Sequence, residues 1–138
     1  MCDLYEKLRI LPYFSDNDYL QKYCIIIERH FGSRRRNKGT NEHHILPRCW
    51  FRLNSLEVDN SLRNLVTLPY REHILAHYYL CLCTLGPLKY ANELAFVNMI
   101  SRKKLSQTDR QLLRNLSEYD KIREDFSKKQ KSNYKIYS

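Results

Sequence analysis

The fold of this chain is decided by residues 40–83, which read TNEHHILPRCWFRLNSLEVDNSLRNLVTLPYREHILAHYYLCLC. Thr40 to Leu46 is typical of a short strand that a proline ends, and residues 65–68 form a second strand. Pro69 opens a helix over residues 70–84, because proline lacks an N–H group that the first turn would leave unpaired. Residues 48–63 have no clean period and indicate a long loop. The stretch therefore predicts strand, loop, strand and helix, in that order.

On the N-terminal side, apolar residues at helical spacing predict a helix over residues 16–31. Ser15 and Asp18 have the spacing of a capping box, and Gly32 has the position of a helix stop. Residues 1–14 are interpreted as irregular.

On the C-terminal side, Gly86 and Pro87 end the helix at 70–84, and a further helix follows over residues 88–101. A last helix begins near Ser106 or Thr108 and runs to about residue 126. We interpret residues 127–138, which are rich in lysine, as a frayed basic tail. The pattern as a whole predicts a single α+β domain that is predominantly helical.

Composition and charge narrow the class of protein. The chain has 138 residues, and 24 Lys and Arg against 15 Asp and Glu give a net charge of +9. This charge favours an anionic partner, of which nucleic acid is the commonest. The longest weakly polar stretch, residues 77–88, is too short to cross a bilayer, and Met1 to Glu6 has no secretory pattern. Five cysteines without framework spacing indicate reduced thiols, so we expect an intracellular protein without a membrane partner.

Four of the five histidines lie between positions 43 and 77. His73 and His77 are four residues apart on the predicted helix, where two imidazoles on one face can chelate one divalent metal ion. The HExxH pattern of zinc peptidases requires a glutamate after the first histidine. Ile74 occupies that position, so a zinc peptidase is disfavoured.

His43 and His44 are neighbours on the first predicted strand, so their side chains point to opposite sides of it. One of the two can complete a three-histidine metal site, while the other stays free of metal and takes a proton from water. The residues alone leave open which histidine does which. Three protein ligands leave coordination positions open, as a catalytic site requires, and a basic protein makes phosphodiester hydrolysis a natural reaction.

Three segments, Glu42 to Pro47, Asn64 to Leu68 and Glu72 to His77, together resemble the motif of the HNH endonucleases. The likeness is greatest to the phage-type, homing-endonuclease-related branch and covers residues 40–82. It implies a ββα-metal core over residues 33–85. The remaining parts of the single domain, residues 1–138, are then an N-terminal helical flank at 1–32, C-terminal helices at 86–126 and a basic tail at 127–138.

The resemblance also implies a role for each matched residue. His43, His73 and His77 are then metal ligands, His44 is the general base that activates water, and Asn64 braces the loop and orients that base. The expected products are a 5′-phosphate and a 3′-hydroxyl. The loop between His44 and Asn64 is longer than in compact members of the family.

Basic residues near the motif are candidates for contact with nucleic-acid phosphates. The loop before the first strand carries four of them: Arg34, Arg35, Arg36 and Lys38. Four more flank the motif, and one of these is expected to hold the scissile phosphate: Arg48, Arg52, Arg63 and Arg71. Arg71 is favoured because it lies near the start of the helix that carries the metal ligands.

The sequence thus predicts a metal-dependent endonuclease acting on double-stranded DNA, as a monomer or homodimer in the cytoplasm of a bacterial host. The expected cofactor is one divalent ion, Mg²⁺ or Mn²⁺, with Zn²⁺ and Ni²⁺ as alternatives that suit imidazole. Two other hypotheses stay open. One is a DNA-binding module that uses the metal only for its shape, and the other is a structural metalloprotein whose basic charge serves solubility or RNA contact.

Overall fold

The computed structural model describes residues 3–33, 39–102 and 105–137. Its elements, in chain order, are α1 (Asp3–Leu8), α2 (Asp18–His30), β1 (Thr40–His44), α3 (Arg48–Leu53), β2 (Leu65–Pro69), α4 (Tyr70–Cys83), α5 (Gly86–Arg102), α6 (Gln107–Arg114) and α7 (Tyr119–Tyr137). The described part of the chain is mostly helical with one small sheet, which confirms the α+β class. None of the described helices is both long enough and apolar enough to cross a bilayer.

The sheet consists of β1 and β2, which pair antiparallel so that His43 lies opposite Val66 and His44 opposite Leu65. β2 continues directly into α4, whose N-cap is Pro69. The backbone N–H of Tyr70 donates to the carbonyl of Gly39 at 2.9 Å, which ties the start of α4 to the start of β1. The strand and the helix that carry the histidines are therefore fixed to each other at this end.

α4 is the central helix, because it packs against α2 on one side and α5 on the other. Ala76 and Leu80 belong to a core shared with α2 and the sheet. Ile74 and Tyr78 belong to a second core shared with α5, α6 and α7. A helix that is buried on two sides has no single apolar stripe, so its position in the fold is not evident from its sequence period.

The helix predicted at 16–31 is confirmed, but its cap is a different residue. Asn17, and not Ser15, is the N-cap of α2, and its side-chain oxygen accepts from the backbone N–H groups of Tyr19 and Leu20. At the other end Gly32 has a φ of +84°, the left-handed conformation that stops a helix. The correction at the N-terminus follows from the spacing, because an Asn side chain reaches the N2 and N3 donors only from the position directly before the helix.

Two short helices lie where irregular structure was predicted. α1 occupies part of residues 1–14, and α3 occupies the beginning of the predicted loop at 48–63. Both are held by tertiary contacts: Leu8 is buried, Trp50 and Phe51 are buried, and the indole N–H of Trp50 donates to the carbonyl of Pro12 at 3.0 Å. Six-residue helices are too short to be stable from local propensity, so burial determines them.

The C-terminal part also differs from the prediction. α5 begins at Gly86, so Gly86 and Pro87 open a helix as well as ending the preceding one. The single helix expected to end near residue 126 is two helices, α6 and α7, and α7 continues through most of the predicted tail. A partly buried ion pair joins α7 to α5. The ammonium of Lys129, whose side chain is half-buried, donates at 2.6 Å to the carboxylate of Glu93, which is fully buried on α5.

Candidate metal centre

Three histidines from two elements meet beside the sheet. His43 comes from β1, and His73 and His77 come from successive turns of α4. Their ring centroids are 5.2 Å apart for His43 and His73, 5.0 Å for His43 and His77, and 4.7 Å for His73 and His77. One ring nitrogen from each lies within 4.8 Å of the others, so the three side chains could hold one metal ion.

The two histidines of α4 have the spacing that a shared ion requires. Their Nε2 atoms are 3.0 Å apart. Two ligands with bonds of about 2.1 Å and a bond angle of about 90 to 110° would lie roughly 3.0 to 3.4 Å apart. The Nδ1 atom of His73 lies 3.3 Å from the side-chain oxygen of Asn41, which can accept its proton and leave the lone pair on Nε2. The donor set and its spacing therefore fit a divalent ion.

Burial keeps two of these imidazoles, those of His43 and His77, in their neutral form. It lowers the pKa of His77 from 6.5 to about 4. Burial, with added repulsion from the rings of His77 and His73, holds the pKa of His43 well below its usual range. Only a neutral imidazole has a lone pair for a metal, so the cluster is ready to bind an ion at neutral pH.

His43 also contacts a tyrosine of α2 beneath the sheet. The hydroxyl of Tyr23 lies 2.8 Å from the Nε2 atom of His43 and donates to the backbone carbonyl of Ile45. Tyr23 is fully buried, and burial raises its pKa well above 10. The inner side of His43 is thus fixed by the helix that precedes the strand.

His44 lies outside the cluster, as the alternation of strand side chains requires. Its Nε2 atom is 2.8 Å from the side-chain oxygen of Asn60, in the segment between α3 and β2. Because an amide oxygen can only accept, Nε2 carries the proton and Nδ1 is the basic nitrogen. The imidazole of His44, next to the candidate ligand His43, is therefore held in one tautomer.

Asn64 connects the end of β1 to the segment that carries Asn60. Its side-chain amide donates to the carbonyls of Leu46 at 3.1 Å and Asp59 at 2.9 Å, and its side-chain oxygen accepts from the N–H of Leu46 at 2.8 Å. Its side chain is thus well satisfied at a nearly buried position. These hydrogen bonds go to Leu46 and Asp59 and not to His44, so Asn64 joins the end of β1 to the segment whose Asn60 lies against His44.

A cleft of about 550 Å³ opens onto the histidines. Its lining includes His43, His44, His73 and His77, together with two arginines of α3, Arg48 and Arg52. The two arginines are exposed and four residues apart on α3, so they form one cationic wall. Residues of α5, among them Asn92 and Asn98, form the opposite wall.

The other candidate phosphate contacts are placed differently. Arg71 is exposed at the first turn of α4 but is not among the residues that line the cleft. Arg34, Arg35, Arg36 and Lys38 lie outside the described residues. Glu72, which precedes His73, pairs with Arg29 of α2 at 2.9 Å and contacts His30, so its carboxylate is engaged away from the histidine cluster.

Sequence reasoning missed the side chains that orient the histidines, namely Tyr23, Asn41 and Asn60. In the sequence, Tyr23 has the same helical spacing as the apolar residues of α2, and no neighbouring residue marks it as a contact of a histidine. Asn41 carries a weak signal, because it is two residues before His43 and so points to the same side of the strand. Comparison with known proteins adds no assignment: no family model, no curated protein and no solved structure matches this chain.

Proposed function

We propose that this chain is a metal-dependent endonuclease of the HNH type, in which β1, β2 and α4 form a ββα-metal site that hydrolyses phosphodiester bonds of double-stranded DNA. One observation carries the proposal. His43, His73 and His77 converge while the adjacent His44 stays outside the cluster with its tautomer fixed. A metal site with a purely structural role has no use for such a histidine.

One divalent ion at the three histidines would polarise a phosphate oxygen and stabilise the charge that develops on it. The working ion is proposed to be Mn²⁺ or Mg²⁺, with Zn²⁺ and Ni²⁺ as alternatives. An all-imidazole set favours Mn²⁺ over Mg²⁺, which prefers oxygen ligands. His43, His73 and His77 would hold the ion and leave the remaining positions to substrate and water.

The protein's own residues perform the rest of the reaction. Arg48 and Arg52 attract a backbone phosphate into the cleft. The Nδ1 atom of His44 takes a proton from water, whose oxygen forms the new bond to phosphorus. The bond from phosphorus to O3′ breaks, the 3′ oxygen takes up a proton from solvent, and the products are a 5′-phosphate and a 3′-hydroxyl. Asn60 holds the protonated face of His44 during this step.

The test is nicking of supercoiled plasmid by wild-type protein with Mn²⁺, Mg²⁺, Zn²⁺ or Ni²⁺, and with chelator. His44→Ala should reduce the rate by about a hundredfold or more, because it removes the general base while leaving the proposed ligands. His30→Ala is the matched control, since His30 lies outside the cluster, and it should cut as wild type does. Equal cutting by His44→Ala and wild type would show that His44 is not the general base. Cutting that persists in chelator would show that the reaction needs no metal ion.

A second candidate function is a DNA-binding module in which the metal only maintains the fold. The burial of His43, which is 3% exposed and packed beside the core, is the observation that favours it. Such a module would shift DNA in a gel in a metal-dependent way and would fail to nick plasmid with any of the four ions.

A further inference from the structure

The hydroxyl of Tyr23 occupies a position between a candidate metal ligand and the backbone. Tyr23 is on α2, is 0% exposed, and reaches across to the strand that carries His43. Its oxygen lies 2.8 Å from the Nε2 atom of His43 and within hydrogen-bonding distance of the carbonyl oxygen of Ile45. Both partners belong to the same strand or its direct continuation, two residues apart.

The protons at this site can be assigned by elimination. A backbone carbonyl can only accept, and a tyrosine hydroxyl has only one proton to give. Two buried oxygens this close repel each other unless a proton lies between them, so the proton of Tyr23 goes to Ile45. The remaining interaction is favourable only if Nε2 of His43 carries a proton and donates it to the hydroxyl. The lone pair of His43 is then on Nδ1.

We infer that Tyr23 is a positioning residue that fixes the tautomer of His43, so that Nδ1 and not Nε2 is the nitrogen offered to a divalent metal ion. The inference rests on the metal site of the proposed function, but not on DNA cleavage. It makes β1 and α4 present different ring nitrogens, since the facing atoms of His73 and His77 are both Nε2.

Fixing the tautomer in advance lowers the free-energy cost of binding. Without the hydroxyl, His43 can place its proton on either nitrogen, and its ring can rotate in the space that remains. Removing a residue that orients a metal-bound histidine typically weakens metal affinity by about ten- to a hundredfold. Tyr23→Phe removes one oxygen and keeps the ring that packs in the core.

The experiment compares Tyr23→Phe with wild type by calorimetric titration with Zn²⁺ and with Mn²⁺, in the absence of DNA. Tyr78→Phe is the matched control. Tyr78 follows His77 in the chain, but it is buried in the second core, and its hydroxyl accepts from the backbone N–H of Glu118 at 3.1 Å. Tyr23→Phe should bind about ten- to a hundredfold more weakly, and Tyr78→Phe should keep wild-type affinity. Equal weakening in both variants would mark a general effect on stability and overturn the inference.

A second measurement reads the tautomer directly. Nitrogen-15 NMR of the metal-free protein should show His43 with its proton on Nε2 in wild type and on a mixture of nitrogens in Tyr23→Phe. A wild-type proton on Nδ1, unchanged affinity in Tyr23→Phe, or no metal binding by wild type would each overturn the inference. Wild-type protein that binds metal with the expected tautomer and does not nick plasmid would overturn the proposed function and leave this inference standing.

Discussion

Side-chain amides and hydroxyls, and not only the imidazoles, define the candidate site at the scale of single residues. Asn41 lies against His73, Asn60 against His44 and Tyr23 against His43. A ring nitrogen that is hydrogen-bonded in this way has its proton assigned before a ligand arrives. The free-energy cost of fixing the protons on these rings is therefore met when the protein folds, and not when a ligand binds.

Asn64 contributes to stability, because its side chain makes three hydrogen bonds that join it to Leu46 and Asp59. In Asn64→Ala, two partly buried carbonyls and one N–H lose their partner, so we expect the free energy of unfolding to fall by about 2 to 4 kcal/mol. Urea unfolding at neutral pH measures this change.

Asn54→Ala serves as the control for this substitution, since Asn54 makes a single side-chain bond, to the carbonyl of Trp50 at 2.8 Å. It should lower the free energy of unfolding by about 1 kcal/mol. A decrease in Asn64→Ala no larger than that in Asn54→Ala would contradict the bracing role.

The histidine cluster could be predicted from the sequence, and the residues that orient it could not. Period two put His43 and His44 on opposite sides of the strand, and helical spacing put His73 beside His77. The assignment of His43, and not His44, to the cluster came from the resemblance and not from periodicity. Tyr23 is twenty residues before His43, and only the packing of α2 beneath the sheet brings the two together. Such interactions depend on tertiary structure, which a local pattern does not contain.

At the scale of elements, length separates what was predicted from what was missed. α2, with 13 residues, carries enough apolar positions at helical spacing to be predicted, and α4, with 14 residues, was predicted from the proline before it and from Gly86 and Pro87 after it. α1 and α3 have 6 residues each and exist because the core buries one or two of their side chains. The break between α6 and α7 was missed because Leu116 and Tyr119 preserve the helical spacing across it, although the chain turns there.

α3 gives the clearest prediction at this scale, because it presents Arg48 and Arg52 to the cleft. An Arg48→Gln/Arg52→Gln variant cannot form charge-assisted hydrogen bonds to phosphate from this wall, so plasmid nicking should slow by about ten- to a hundredfold at low DNA concentration. The slope of log affinity against log salt should also decrease, by about 1 for each arginine that no longer neutralises a phosphate.

Arg71→Gln provides the comparison, since the sequence alone favoured Arg71 for the scissile phosphate. We expect it to nick at nearly the wild-type rate, because Arg71 does not line the cleft. A slower rate in Arg71→Gln than in the α3 variant would show that Arg71, and not the pair on α3, binds the phosphate.

At the scale of the whole molecule, the candidate site lies where the two cores meet. α4 belongs to both cores. The cleft is lined by α3, which packs in the first core, and by α5, whose Phe96 packs in the second core. A site that spans two packing units depends on the stability of the entire domain. Protonation of its buried imidazoles should consequently lower the stability of the whole fold.

The pH dependence of unfolding tests this coupling. The pKa of His77 falls from 6.5 to about 4 on folding, and that of His43 falls in the same direction. Between these values the unfolded chain binds more protons than the folded chain, so stability is fully present above pH 6.5 and is lost as the pH falls toward 4. For His77 the decrease between pH 6.5 and 4.5 is at most about 3 kcal/mol, and less because its ring is partly exposed.

Urea unfolding in chelator at several pH values from 7.5 to 4.5 measures this decrease, and stopping at 4.5 limits the contribution of the carboxylates. His77→Asn should have a shallower dependence than wild type over the same range, because one of the two imidazoles with a lowered pKa is gone. Zn²⁺ at a hundred times its dissociation constant should add about 2.7 kcal/mol at pH 7.5, and less at pH 5, where protons compete for the same nitrogens. Identical curves for wild type and His77→Asn would show that folding does not lower the pKa of His77, and would contradict a neutral cluster that is ready to bind a metal ion.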